Sequence, residues 1–117
     1  MTQEIFVFGS NLRGVHGAGA AEYARLHHGA IWGVGEGIQG NSYGIPTKDI
    51  RIESLPLNEV YNHVRKFIAY ATKHPEMTFN VTRIGCGLAG NKDHQIAPMF
   101  IGAPSNCKLP EGWDEYQ

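Results

Sequence analysis

Two segments of this chain combine residue types and a spacing that suit the binding of a phosphate group. The first, residues 9–21, carries four glycines between an apolar run and a helix-favouring stretch. Free N–H groups at a helix start, together with the helix dipole, attract phosphate or pyrophosphate. The glycine spacing in this segment matches neither the Rossmann nor the P-loop pattern. From the local pattern alone, a tight strand-to-helix turn without a ligand remains an equal alternative.

The second segment, residues 83–90, reads Arg-Ile-Gly-Cys-Gly-Leu-Ala-Gly and follows another apolar, alternating run. Its three glycines allow the backbone to approach a ligand more closely than a Cβ would permit. Two such loops at neighbouring strand ends can clamp one diphosphate between their backbone amides. The pair therefore favours a ligand site more strongly than either loop alone.

The remaining chemistry-bearing residues give weaker indications. Cys86 is a candidate nucleophile with His94 as its base, but a small buried packing residue is the favoured interpretation. The six histidines show no metal-ligand spacing, and His27 and His28 are adjacent on a helix and cannot share a face. We therefore expect no metal and no cofactor. Trp32 and Trp113 are interpreted as packing residues.

Composition limits the class of protein. The chain has 117 residues, 42% of them hydrophobic and 18% charged, which suits one domain spanning 1–117. No apolar run is long enough for a bilayer, and the N-terminus lacks the basic start of a signal peptide. With only two cysteines, we expect a cytoplasmic protein. The net charge of -1, without a dense Lys/Arg cluster, argues against a duplex DNA-binding face but permits a small anionic ligand.

The elements that must position these loops can be read from hydrophobic periodicity. The clearest helix covers residues 56–73, where Val60, Val64, Phe67, Ile68 and Ala71 form one apolar stripe. Strands alternating with helices predict an α/β fold with a largely parallel sheet, in which ligands bind beyond the carboxyl ends of the strands. The predicted strands are 4–8, 30–34, 42–46, 78–84 and 106–109; the other predicted helices are 17–28 and a short one capped by Asp93 and limited by Pro98.

The second segment also carries a resemblance to a known family. Residues 82–90, with the string Arg-Ile-Gly-Cys-Gly-Leu, resemble the second phosphate-binding loop of macro domains, and most closely the branch that includes terminal ADP-ribose protein glycohydrolase. Residues 17–21 resemble the first glycine loop of that family, and residues 43–48 resemble its strand with a Thr-Lys end. The similarity covers roughly residues 5 to 101 in the same order. It implies a compact three-layer fold with a mixed, largely parallel sheet flanked by helices, similar to bacterial and phage variants.

The resemblance implies that the ligand is ADP-ribose or a related NAD-derived nucleotide, free or attached to a macromolecule. The first loop would contact the distal ribose and the diphosphate, and the second would wrap the diphosphate from the other side. Phe8 would line the adenine end, although a core position is the favoured alternative. The implied binding residues are Phe8, Gly9, Ser10, Asn11, Gly17, Ala18, Gly19, Gly85, Cys86, Gly87, Leu88, Ala89 and Gly90.

Catalysis is a second implication of the same resemblance. In the glycohydrolase branch a lysine attacks the anomeric carbon, and Lys48 matches it, with a solvated surface lysine as the alternative. The branch also uses an aspartate after Gly-Cys-Gly-Leu, where this chain has Ala89, and Asp49 and Asp93 are possible substitutes. A reader or sponge is therefore favoured over a hydrolase that removes ADP-ribose from protein or nucleic acid. An interaction protein that has kept the fold without the ligand is the third hypothesis.

Overall fold

The computed structural model describes residues 3–117, so part of the N-terminus considered for a signal peptide lies outside it. Within these residues, eight helices and strands and two 3₁₀ turns follow one another. The strands are β1 (Gln3–Asn11), β2 (Gly37–Gln39), β3 (Ser42–Lys48), β4 (Met77–Val81) and β5 (Cys107–Lys108). The helices are α1 (Gly19–His27), α2 (Leu57–Lys73) and α3 (Asp93–Ile96), with 3₁₀ turns at Ala97–Phe100 and Trp113–Tyr116.

The five strands form one mixed sheet in the order β2-β3-β1-β4-β5. The central strand β1 is parallel to both β3 and β4, and β5 is parallel to β4. Only β2, at the edge, runs antiparallel to its neighbour β3. The predicted α/β fold with a largely parallel sheet is therefore confirmed. Because β1, β3 and β4 are parallel, the loops that follow them emerge at the same edge of the sheet.

Helices cover both faces of the sheet and give three layers. Strand β1 shows why, because its alternate side chains enter two separate apolar clusters. Ile5 and Val7 join the larger cluster, which includes the buried stripe of α2 and the residues around Trp113. Phe8 points to the opposite face and packs with Ala21 and Ala24 of α1. The two alanines give α1 a thin buried face, which lets this helix lie close to the sheet.

Helix α2 matches the sequence prediction most closely. Its buried residues are the five of the predicted stripe, and it begins at Leu57 after Pro56. A 17-residue helix with one continuous apolar face is stabilised mainly by packing that face against the sheet. His74 takes the C-cap position, and Pro75 follows it. Prolines disfavour continuation of a helix, so the predicted end is also confirmed.

One predicted strand was wrong and one real strand was missed. Residues 30–34 form a turn without a strand ladder. Their amides donate to Ala24 O of α1, to Gln39 Oε1 of β2 and to Gly14 O in the loop after β1. The missed strand β2 has only three residues and begins at Gly37, so it is too short to show an alternation of apolar and polar residues. Strand β4 ends at Val81, earlier than predicted, because residues 82–84 leave the sheet toward the second loop. Asp93 opens α3, but Lys92 takes its N-cap position.

Within residues 3–117, no helix combines the length and the apolar character that crossing a bilayer requires.

Candidate ligand-binding cleft

A cleft of about 590 Å³ opens at the carboxyl ends of β1, β3 and β4. It is bordered by the start of α1 on one side and by the loop after β4 on the other. The two glycine-rich segments, which are far apart in sequence, therefore face one cavity. The predicted site residues that line it are Gly9, Ser10, Asn11, Gly17, Ala18, Gly19, Lys48, Gly85, Cys86, Gly87 and Leu88.

The cleft forms because β1 extends beyond the end of its pairing with β4. The pairing of β1 with β4 ends at Val7 and Val81, whereas β1 continues to Asn11 beside β3. The departing chain returns toward β1 at Gly85, whose backbone nitrogen would lie 3.2 Å from a Cβ placed on Gly9. A side chain at position 9 would therefore press against the second loop. Because position 9 is a glycine, the two segments can approach closely, and their contact forms the floor of the cleft.

The start of α1 forms one wall of the cleft. Ala18 occupies the N-cap position, and its methyl side chain cannot accept a hydrogen bond from the helix amides. The N–H groups of Gly19, Ala20 and Ala21 have no partner within the helix by the geometry of an α-helix start. All three residues line the cleft. An anionic group in the cleft would meet unsatisfied donors and the positive end of the helix dipole.

The loop after β4 forms the facing wall. Tight turns shape it, with the Cys86 amide donating to Arg83 O (3.1 Å) and the Gly90 amide donating to Gly87 O (3.0 Å). Within the described residues, the amides of Gly87 and Leu88 donate to no protein acceptor. The Leu88 side chain reaches across to α1, where its Cδ1 lies 3.3 Å from the Cβ position of Gly19. The two walls therefore meet at this leucine, which is 69% exposed.

The three glycines of this loop, Gly85, Gly87 and Gly90, have the Gly-x-Gly-x-x-Gly spacing. Their context differs from a dinucleotide fold, because the loop leads into the four-residue helix α3 after two further residues. The Rossmann pattern requires a longer helix that starts directly at the glycines. The spacing therefore supports close approach of a ligand to the backbone without indicating a Rossmann site.

The electrostatic character of the cleft favours an anion. Lys48 and Arg83 both contribute to the lining. Along the described chain, no aspartate or glutamate is among the lining residues. Lys48 forms no ion pair within residues 3–117, whereas Arg83 Nη1 pairs with Asp93 Oδ2 at 2.8 Å. Lys48 is thus the cation at the cleft that is available to a ligand.

Two polar side chains at the cleft are engaged by the backbone. The amide of Asn11 donates through Nδ2 to Val15 O (2.8 Å) and accepts through Oδ1 from Val15 N (3.0 Å). Thr47 Oγ1 donates to Ser10 O at 3.3 Å. These bonds close the first loop and tie β3 to β1. Asn11 therefore stabilises the loop, and it also lines the cleft, where a ligand was predicted.

Four sequence-predicted residues lie outside the lining. Phe8 is fully buried between β1 and α1, so the core alternative is the correct one. Ala89 and Gly90 form the back of the second loop, where Ala89 O accepts from Ser54 Oγ at 2.8 Å. Asp93 is held away from the cleft by its ion pair with Arg83.

The candidate substitutes for the missing aspartate serve other purposes. The pKa of Asp93 is lowered, chiefly by the indole N–H of Trp113, which faces it without full hydrogen-bond geometry, and also by Cys86 and Arg83. Asp49 Oδ1 accepts from the amides of Arg51 and Glu53, at 2.8 and 3.0 Å. The Asp93 carboxylate stabilises the base of the second loop, and the Asp49 carboxylate closes the turn after β3. Neither lines the cleft.

Cys86 is unsuited to nucleophilic attack. Burial raises the pKa of its thiol to about 11, and a hydrogen bond and charge repulsion from Asp93 act in the same direction. A thiol with that pKa is protonated at neutral pH, and the thiolate is the reactive form. The packing interpretation of Cys86 is therefore the better one, although the residue also lines the cleft.

Sequence reasoning missed several lining residues, of which Ile52 is the most unusual. Its φ of 63° is the only positive φ of a non-glycine residue among the described residues. Such a conformation is rare for a β-branched side chain and costs free energy. The turn closed by Asp49 maintains it. No local sequence signal marks this position, because the conformation results from the turn's hydrogen bonds.

Within residues 3–117, no group of three or more His, Cys, Asp or Glu side chains is arranged to hold a metal ion. Comparisons of the chain with protein-family models, with curated proteins and with solved structures found no match.

Proposed function

We propose that this chain is a macro-domain-like module that binds ADP-ribose or a related NAD-derived nucleotide as a reader or sponge. The observation that carries the proposal is the convergence of both glycine-rich segments on one cleft of about 590 Å³. Pockets of this size accommodate a nucleotide-sized ligand. The resemblance to macro domains at residues 17–21 and 82–90 supplies the identity of the ligand.

The chemistry of the two walls supports a diphosphate in particular. Free amides at the start of α1 face the loop that contains Gly87 and Leu88, so two oxygens of a pyrophosphate can be held from opposite sides. Lys48 adds a positive charge at the cleft, and no carboxylate of the described lining opposes an anion. We include a cytoplasmic location in the proposal, because both cysteines are free thiols.

A hydrolase that removes ADP-ribose from protein or nucleic acid is the second candidate. The observation in its favour is that Lys48 lines the cleft. The observation against it is the position of Asp93 and Asp49, which are engaged outside the lining. Among residues 3–117, no carboxylate lines the cleft to accept a proton or stabilise positive charge. Binding is therefore the favoured function.

Calorimetric titration with ADP-ribose tests the proposal. We expect saturable one-to-one binding that Lys48→Ala weakens about tenfold, because a charge-assisted hydrogen bond is lost. Gly87→Ala should also weaken binding, since a Cβ there has no protein atom within 4 Å and would occupy ligand space. Lys108→Ala is the matched control, because this exposed lysine of β5 is not a lining residue.

Two results would contradict these proposals. No detectable binding of ADP-ribose at millimolar concentration would end the reader hypothesis. For the hydrolase, the readout is release of labelled ADP-ribose from modified protein. Equal release by the wild type and Lys48→Ala would remove Lys48 from any mechanism.

A further inference from the structure

Trp32 is a large aromatic residue left exposed at the border of the cleft. Its side chain is 58% exposed, although the sequence predicted a packing role. The ring atom Cη2 lies 3.9 Å from the Cβ position of Gly17, which lines the cleft. The ring is therefore next to the mouth of the cavity, at the end where the first loop enters α1.

The turn that carries Trp32 is fixed to the cleft rather than loosely attached. The Gly33 amide donates to Gly14 O at 2.8 Å, and a Cβ on Gly14 would lie 2.3 Å from Gly33 C. His16 Nε2 lies 2.9 Å from Val34 O and 3.2 Å from Gln39 Oε1, so this nitrogen donates. Backbone contacts this close hold residues 31–35 in one position relative to the first loop.

The ring itself is also held in orientation. The guanidinium of Arg25 lies over the Trp32 ring, 5.9 Å from its centroid. Arg25 is in turn fixed, because its Nε donates to His16 O at 3.1 Å. A cation over one face leaves the rest of the exposed ring surface open to a second planar group. An indole ordered in this way loses little conformational freedom when another ring stacks on it.

On these observations we propose that Trp32 is a stacking platform for the purine base of the nucleotide in the cleft. This inference rests on the proposed function and adds the position of the base, which it places at the Gly17 end of the cleft, where the resemblance alone implies the distal ribose. The diphosphate occupies the cradle between Gly19 and Gly87, and the base leaves the cleft past Gly17 to lie on the indole. The buried Phe8 cannot serve this purpose, since no part of it is accessible. Binding then selects nucleotides over sugar phosphates.

Calorimetry and tryptophan fluorescence together test the platform. Trp32→Ala should weaken ADP-ribose binding by at least about tenfold, in line with base–aromatic stacking. The same variant should bind pyrophosphate, which has no base, within twofold of the wild type. Ile31→Ala is the matched control, because its side chain is 52% exposed on the same turn but carries no ring.

Tryptophan fluorescence tests directly whether the ligand contacts the Trp32 ring. The chain has two tryptophans, and Trp113 is fully buried. ADP-ribose should therefore quench the wild type through Trp32, and Trp32→Phe should lose that quenching. Pyrophosphate should cause no quenching in either protein.

The outcomes distinguish the two proposals. If the wild type binds ADP-ribose and Trp32→Ala binds it within twofold, the platform is overturned while the cleft assignment survives. If the wild type binds neither ADP-ribose nor pyrophosphate, the proposed function and the platform both fail. Equal weakening of ADP-ribose and pyrophosphate binding by Trp32→Ala would also overturn the platform, because the loss would not depend on the base.

Discussion

At the scale of single residues, the cleft owes its character more to backbone than to side chains. Glycines and alanines form both walls, so the polar groups offered to a ligand are mostly amides. The side chains that looked reactive in the sequence have other surroundings. Cys86 is a protonated thiol beside Asp93, and Asp93 is paired with Arg83. Of the charged side chains considered for catalysis, only Lys48 lines the cleft, and it forms no ion pair within residues 3–117.

The environment of Cys86 leads to a prediction about its reactivity. A rise in pKa from 9.0 to about 11 lowers the thiolate fraction at pH 7.5 about a hundredfold. We expect the native protein to react with a disulfide reagent at least tenfold more slowly than glutathione. The rate should rise with pH up to about 11. Stopped-flow absorbance measures it.

Asp93→Asn provides the control for this prediction. It removes the negative charge that disfavours the thiolate, so the pKa of Cys86 should fall and the reaction at pH 7.5 should accelerate. Reaction of native Cys86 at the rate of a free thiol would show that the environment described here is wrong.

At the scale of elements, the loop after β1 and the turn at residues 31–35 behave as one unit. They are joined by the hydrogen bond from the Gly33 amide to Gly14 O and by the close contact of these two glycines, rather than by a sheet ladder. This is also why the predicted strand at 30–34 does not form. Its β-favouring residues are present, but their backbone amides donate to α1, to the Gln39 side chain and to the loop after β1. Tertiary hydrogen bonds outweigh the local preference in this segment.

The glycine contact predicts a large effect of a single methyl group. Gly14 has a φ of +77°, and a Cβ there would lie 2.3 Å from Gly33 C and 2.6 Å from Val34 N. Gly14→Ala should therefore destabilise the fold by at least about 2 kcal/mol, through backbone strain and steric overlap. Urea denaturation followed by circular dichroism gives the difference.

Gly87→Ala serves as the comparison for Gly14→Ala. No atom lies within 4 Å of its Cβ position, so its free energy of unfolding should stay within about 1 kcal/mol of the wild type. A Gly14→Ala protein as stable as Gly87→Ala would mean that the turn is not packed against the loop as described.

At the scale of the whole molecule, the apolar clusters on the two faces of the sheet contribute unequally to the stability of the fold. The larger cluster joins α2, the sheet and the C-terminal 3₁₀ turn, whereas the smaller one holds only α1 and nearby residues. Trp113 anchors the C-terminal turn and is fully buried against Phe100, with ring centroids 5.4 Å apart. The cleft therefore lies at the edge of a sheet whose larger apolar core is on the α2 side.

The two tryptophans should consequently differ in their effect on stability. Trp113→Ala removes a fully buried indole and should cost about 3–5 kcal/mol. That is a large share of the roughly 5–15 kcal/mol typical of a domain. Trp32→Ala should change the free energy of unfolding by no more than about 0.5 kcal/mol. Equal losses in a urea titration would contradict the burial assigned to both residues.

The sequence by itself determined the elements whose signals are local. The apolar stripe of α2 repeats with the helical period, and strand β1 contains a short β-branched and aromatic run that ends at Gly9, so both could be read without coordinates. The order of strands and helices fixed an α/β fold, and parallel strands place their loops at one edge. The prediction that the two glycine segments face each other followed from that geometry, and both line the cleft.

The tertiary structure alone decided which side chains point into the cleft. The position of Asp93 depends on its ion pair with Arg83, and that of Ile52 depends on hydrogen bonds to Asp49. The exposure of Trp32 depends on the packing of Gly33 against Gly14. Each is set by contacts between segments that local periodicity does not encode. Residue types therefore indicated the kind of site, while the long-range contacts selected its members.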